Sequence, residues 1–184
     1  LSGTLSGPQI ARAYLNAKRG QRIVADVEAR RLGANCEPVI EFKNSQGTPL
    51  AIEWSKVELR GDTRAVVKIP ADGTYTVEIH DLSYKAPAGS PFRLKIGDLA
   101  LVDAVFPPAA VAGAQVEVQP IGTGLPDAAT LKVDLRTAGA RLSKLVPTSQ
   151  QAGLLGPAPV IRIARGTEVL ETAQGPIDAR FTAV

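Results

Sequence analysis

The stretch Ala65-Val66-Val67-Lys68-Ile69-Pro70-Ala71-Asp72-Gly73-Thr74-Tyr75-Thr76-Val77-Glu78-Ile79 carries the reading that decides the fold. Ahead of the proline, Ala65, Val67 and Ile69 share one side of an extended chain, with Arg64 and Lys68 on the other. After the glycine, Tyr75, Val77 and Ile79 alternate with Thr76, Glu78 and His80. A period of two is the mark of a strand with one buried face. Asp-Gly is a turn pair that accepts positive φ, so Pro70-Ala71-Asp72-Gly73 between two such runs predicts a tight β-hairpin whose register is set at or close to Gly73.

The same alternation spreads outward from this stretch. Between Arg22 and Arg30, Ile23, Ala25, Val27 and Ala29 face one way and Val24, Asp26, Glu28 and Arg30 the other. Phe92, Leu94 and Ile96 alternate with Arg93 and Lys95. In the second half, Val116 and Val118 alternate with Glu117 and Gln119, Leu131, Val133 and Leu135 with Lys132, Asp134 and Arg136, and Ile161 and Ile163 flank Arg162. Polar-out alternation predicts sheets with one wet face, hence antiparallel pairing. No helix-period stretch is long enough to compete. The nearest, Gln9–Lys18, is short and follows Gly7-Pro8. The 17 Gly and 14 Pro are scattered, as turns between short strands would scatter them. The fold class expected is all-β: an antiparallel β-sandwich over residues 1–97 and a second β-sandwich over 98–184, with the break near Gly97-Asp98 and a short linker to Ala100. About seven strands are expected before the break, a usual number for a sandwich.

Composition narrows the function classes. Hydrophobic residues at 45% and charged ones at 21% suit a packed core. The net charge is +3, with 14 Lys and Arg against 10 Asp and Glu in residues 1–97 and 7 against 8 in residues 98–184. These charges alternate in sign along strands, as in Asp26-Val27-Glu28-Ala29-Arg30, instead of collecting on a basic face, so no nucleic-acid partner is expected. The longest apolar stretch, Leu99–Ala114, contains Asp103 and Pro107-Pro108, so no membrane span is expected. One His and one Cys exclude a His/Cys zinc site and an internal disulfide. Met is absent even at position 1, and the chain reads as a processed or excised piece.

Several segments, taken in order, resemble a known family: Lys18-Arg19-Gly20-Gln21-Arg22-Ile23-Val24, Val27-Glu28-Ala29-Arg30-Arg31-Leu32-Gly33, Glu37-Pro38-Val39-Ile40, Gly47-Thr48-Pro49-Leu50-Ala51, Pro70–Ile79 and Phe92-Arg93-Leu94-Lys95-Ile96-Gly97. Together they look like the bacterial pre-peptidase C-terminal domain, in the form found in large secreted proteins of planctomycete-type bacteria. Beyond it, Val102–Pro107, Gly113–Val118 and Gly122-Thr123-Gly124-Leu125 resemble the start of an immunoglobulin-like domain of the TIG type. Ala158–Ile163 and Glu168-Val169-Leu170-Glu171 look like its last strand and a linker toward another module. The resemblance implies a jelly-roll-like sandwich followed by an immunoglobulin-like one, in an exported or cell-surface bacterial protein with further domains. Members of the first family are accessory modules that bind substrate or surface or assist secretion. Some bind calcium, through an Asp-x-Asp pair ahead of a first-strand aromatic. Here that stretch reads Ile10-Ala11-Arg12-Ala13-Tyr14, and the mid-domain acidic run is reduced to Glu53-Trp54-Ser55-Lys56. Calcium wants several converging oxygens, so no cofactor is expected.

Candidate chemistry is sparse. His80 has Asp81 and Ser83 nearby, but strand neighbours point apart and no Gly-x-Ser-x-Gly elbow is present, so an ordinary strand histidine is expected and no enzyme. Cys36, between Gly33 and Pro38, reads as an inert loop thiol. Gly122-Thr123-Gly124 lacks the Lys and helix of a phosphate loop and reads as a strand end or bulge. Of the aromatics, Tyr75, Phe92, Phe106 and Tyr14 are assigned to inward phases, leaving Trp54, Tyr84 and Phe42 as ligand platforms, with Trp54 beside Glu53 foremost. Two functions follow. One is a non-catalytic structural or adhesive module whose partners are neighbouring domains of the same polypeptide. The other is a module that binds extracellular polysaccharide or protein through Trp54, Glu53 and Tyr84. A Trp54 ring open to solvent, with Glu53 or Arg60 near it, favours the second; a buried ring favours the first.

Overall fold

The computed structural model describes residues 1–136, 143–146, 153–156 and 158–164. These residues are all-β, with two single 3-10 turns. They divide into two compact units, Leu1–Leu99 and Ala100–Val184.

The first unit has eight strands: β1 (Ser2–Gly7), β2 (Ala11–Ala17), β3 (Arg22–Glu28), β4 (Pro38–Lys43), β5 (Pro49–Glu53), β6 (Thr63–Lys68), β7 (Gly73–Asp81) and β8 (Ala86–Gly97). They form two four-stranded sheets, β1-β8-β3-β6 and β2-β7-β4-β5, antiparallel throughout. The pairs β1–β8, β2–β7, β3–β6 and β4–β5 are those of one long hairpin folded at Asn44–Thr48. Winding that hairpin so that β8 also meets β3, and β7 meets β4, makes a double-sheet jelly roll. The inward phases read from the sequence meet in the core: Ile23, Ala25, Val27, Ala65, Val67, Ile69, Tyr75, Val77, Ile79, Phe92 and Leu94.

The architecture corrects several sequence expectations. Pro70–Gly73 is no hairpin: β6 pairs with β3 and β7 with β2 and β4, so the segment carries the chain from one sheet to the other. Gly73 does not adopt positive φ, and a Cβ there would meet nothing within 4 Å. Asp72 instead accepts the Arg19 N–H, at 2.7 Å. The tight hairpin lies between β4 and β5. There Asn44 Oδ1 accepts the N–H groups of Gln46 and Thr48, and Gly47 turns the chain at φ +81°. Gln9–Lys18 holds strand β2.

The outer side of β3 is not a wet face either. Val24, Asp26 and Glu28 are buried, and so is Arg64 beside them on β6. Asp26 accepts from Arg64 at 2.9 Å and Glu28 from Lys95 at 2.6 Å, so charges that alternate along the sequence pair across strands. Asp62, fully buried, accepts the N–H groups of Ala29 and Arg30 and the Arg31 guanidinium, and so ties the turn after β3 to the entry of β6.

The second unit holds sheet β12-β11-β9-β14 and sheet β10-β15-β13, built from β9 (Ala100–Phe106), β10 (Ala109–Val111), β11 (Gln115–Thr123), β12 (Leu131–Asp134), β13 (Ser143–Leu145), β14 (Leu154–Leu155) and β15 (Val160–Ala164). The chain passes from one sheet to the other at Phe106-Pro107-Pro108. As a result β9 pairs antiparallel with β11, whereas β10 pairs parallel with β15. This parallel pair and β9–β14 depart from the all-antiparallel expectation. Val118, Leu131, Val133, Leu135, Ile161 and Ile163 face inward as the alternation requires. Gly122 sits at a register shift against β9, where an added Cβ would lie 1.9 Å from the Leu101 carbonyl oxygen. It is therefore a bulge glycine and not part of a phosphate loop. Glu168–Glu171 lies outside the described residues.

Candidate binding face

The side of sheet β2-β7-β4-β5 turned away from the core is set by the period of two. Ala11, Ala13 and Leu15 of β2 pack on the core, which sends Arg12, Tyr14 and Asn16 outward. Tyr75, Val77 and Ile79 do the same for Thr76, Glu78 and His80, and Ile40 and Phe42 for Val39, Glu41 and Lys43. Register then places Arg12 opposite Glu78, Glu78 opposite Glu41, Glu41 opposite Ile52, and His80 opposite Val39.

Across the middle of this face runs a ladder of ion pairs. Arg12 donates to Glu78 at 2.7 Å, and Lys43 bridges Glu78 and Glu41 at 2.7 and 2.6 Å. Lys43 is the chief cause that holds both carboxyls below the usual range; Arg12 adds to this at Glu78 and His80 at Glu41, against the opposing effect of burial. The same two carboxylates hold the Lys43 ammonium above its ordinary value. Two cations and two anions cancel, so the ladder has polar heads in fixed places and no net charge.

At one end of the ladder lies His80, buried although it is on the outward side. Its Nδ1 donates to the Asp81 carbonyl at 2.9 Å, and its Nε2 lies 3.2 Å from Glu41 Oε1 and 3.4 Å from the Tyr84 hydroxyl. The Tyr84 ring stacks on the imidazole at 4.3 Å and 7°. The turn that presents Tyr84 is built on the Asp81 carboxylate, which accepts from Glu37 N, Ser83 N, Ser83 Oγ and Lys85 N. Burial pushes the Asp81 carboxyl up, but the Ser83 hydroxyl and these N–H groups together hold it below the usual range. His80, Asp81 and Ser83 thus form a turn that fixes an aromatic ring.

Trp54 is 59% exposed. It follows β5 directly, where Glu53 faces Ile40, so the next register position is opposite Val39. Its neighbour Glu53 pairs with Lys56 at 2.8 Å. Of the residues singled out from the sequence, Trp54 and Tyr84 are solvent-facing rings, whereas Glu53, ion-paired to Lys56, shares the phase of Ala51 and Ile40 and does not join them on this face. Phe42 is a correction: it is fully buried, because Glu41 and Lys43 take the outward phase on β4. Two inward assignments also fail: Tyr14 is 69% exposed and Phe106 45% exposed. Tyr14 is the aromatic that the sequence reading missed, and it lies on this same face. The signal was present, since Arg12 and Asn16 share its phase.

Two other places were singled out. Cys36 is buried and lines a pocket of about 320 Å³ with Arg30, Asn35, Glu37, Asp81, Ser83 and Lys85. Burial and Asp81 raise its thiol pKa against the pull of Arg30, which leaves it a poor nucleophile. Where the resemblance would seat calcium the residues do not fit, because Arg12 and Lys56 bring cations to the carboxylates of Glu78 and Glu53. No helix among the described residues is long and apolar enough to cross a membrane. No family model matches the chain, and no curated protein matches it.

Proposed function

We propose that this chain is a non-catalytic binding module of an exported or cell-surface bacterial multi-domain protein, and that the outer face of sheet β2-β7-β4-β5 is its binding surface. The observation that carries this reading is the exposure of Trp54. A large amphipathic ring left in water beside a set of fixed polar groups is more consistent with ligand contact than with scaffolding. The titratable groups nearest this face support a non-catalytic role, because they are committed within the fold: both nitrogens of His80, and the Asp81 carboxylate by its four donors. The ordered resemblance to the pre-peptidase C-terminal domain and the TIG-type domain supports the accessory role, the export and the attachment to further domains.

The test is retention of the whole chain on insoluble extracellular polymers: cellulose, chitin, mannan, xylan and collagen. The reading expects retention on at least one of them and its loss in Trp54→Ala at unchanged thermal stability. Retention that survives Trp54→Ala would contradict it.

A further inference from the structure

We infer that the ligand of this face is a neutral polysaccharide chain, laid across strands β5, β4 and β7 from Trp54 to Tyr84. The inference rests on the binding-module reading and adds the chemical class. Pyranose rings with equatorial substituents carry a flat face of C–H groups, which stacks on aromatic rings, and a rim of hydroxyls, which needs donors and acceptors at fixed places. The outer face of this sheet supplies both.

The rings come first. Glu53 faces Ile40, and Val39 faces His80. The β4–β5 pairing ends at Glu53; carried one residue further, it sets Trp54 and His80 apart by the width of β4, about 10 Å between backbones at two strand spacings. Tyr84 sits over His80, with one face on the imidazole. In an extended, equatorially linked chain, alternate sugars turn the same face to the protein, so two platforms separated by two strand widths suit sugars i and i+2. The Tyr84 platform is fixed before any ligand arrives. Its backbone is held at φ +55° in a turn tied to the Asp81 carboxylate, and its ring rests on an imidazole bonded at both nitrogens. Preorganisation of this kind removes the ordering cost that weakens binding to mobile side chains.

Charge selects among polysaccharides. Arg12 and Lys43 are matched by Glu78 and Glu41. Such a face offers no net field to a uronic-acid polymer or other polyanion. The paired carboxylates still have free lone pairs for hydroxyl donors, and the Arg12 fork has further N–H groups for hydroxyl oxygens. The exposed aliphatic side chains Leu50 and Ile52 on edge strand β5 leave a protein ligand, added as an extra strand, as the alternative for the experiment to separate.

The experiment is affinity electrophoresis of the whole chain through gels containing soluble neutral polysaccharides (hydroxyethylcellulose, glucomannan and xylan), with polygalacturonate as the acidic comparison and gelatin as the protein. Retardation by a neutral polysaccharide is expected, reduced at least tenfold by Trp54→Ala and by Tyr84→Ala and much less by Tyr84→Phe, which keeps the ring. Glu41→Gln, which leaves both rings in place, should weaken it to a smaller degree. Melting curves of each variant confirm that it folds. Retardation by gelatin alone, sensitive to Trp54→Ala, overturns the polysaccharide class and leaves the binding face standing. Retardation by polygalacturonate alone, or by no polysaccharide, also overturns the class. Retardation by a neutral polysaccharide that ignores Trp54→Ala overturns the face itself.

Discussion

Asp62 shows how much a single buried carboxylate organises here. It has no solvent contact and serves the Ala29 and Arg30 N–H groups and the Arg31 guanidinium. Removing it strands two backbone donors and takes the nearest anion from Arg31, which keeps only the longer pairs to Glu28 and Asp26 at 3.7 and 3.9 Å, and breaking a buried pair from one side costs about 3–5 kcal/mol. Asp62→Ala should lower the unfolding free energy of the first unit by that amount in urea titrations; a loss under 1 kcal/mol would mean the bonds are not made in solution. Glu41 and Glu78, with Glu28, Asp81 and Asp134, contribute to acid behaviour. The first two bind a proton less readily in the folded chain than unfolded, chiefly through Lys43. Their stabilisation is therefore complete above the unfolded glutamate pKa of about 4.3 and is lost as pH falls through the lower folded values. Urea unfolding between pH 6 and 3 should show stability falling toward acid, and Glu78→Gln should flatten that slope. An unchanged slope in the variant would remove Glu78 from the account. At this scale the sequence was readable where a residue's neighbours two positions away agree in character. Phe42 shares its phase with Ile40, and Tyr14 shares its phase with Arg12 and Asn16. Assigning Tyr14 to an inward phase and Phe42 to a surface platform reversed both.

Turns and strand ends decide the elements. The alternation around Pro70–Gly73 identified two strands and their inward sides correctly, because side-chain phase is a local property. It could not say which strands are partners. A hairpin and a crossover between sheets join the same two patterns, and what separates them is the pairing of β6 with β3 and of β7 with β4, residues distant in sequence. The difference can be measured. Gly73 is extended with open space around it, so Gly73→Val should change stability by no more than about 0.5 kcal/mol. Gly47, at φ +81°, cannot be replaced so cheaply, and Gly47→Val should cost about 1–3 kcal/mol. If Gly73→Val proved the more damaging of the two, the hairpin reading would return. In the second unit, Gly122→Ala drives a methyl into the Leu101 carbonyl and should lower the melting temperature of that unit while leaving the first unchanged. Equal melting would place β9 and β11 farther apart than described. The burial of Val24, Asp26 and Glu28 on the outer side of β3 was illegible for a related reason: alternation shows which side of a strand is polar, but not whether that side is wet.

At the scale of the molecule, the first unit carries the proposed face, and its own contacts run to Leu99: Arg22 donates to Asp98 Oδ1 at 2.6 Å and to the Leu99 carbonyl at 3.4 Å. A fragment of residues 1–99 should unfold in a single cooperative transition and should keep the polysaccharide retardation of the whole chain. A fragment without cooperative unfolding would show that the unit is not independent. The all-β class follows from strand patterning and the jelly-roll winding was implied by the resemblance, but the ligand follows from neither, because it depends on two rings brought to one surface from the end of β5 and the turn after β7. Trp54 is the sole tryptophan in the sequence, so its fluorescence reports on that surface without interference. The most direct measurement is collisional quenching of this fluorescence by acrylamide, with and without the neutral polysaccharide that retards the chain. The account predicts water-like emission and quenching close to that of free indole, with strong protection once the polysaccharide is added. Blue-shifted emission that acrylamide cannot reach in the free chain, or quenching that the polysaccharide leaves unchanged, would contradict it.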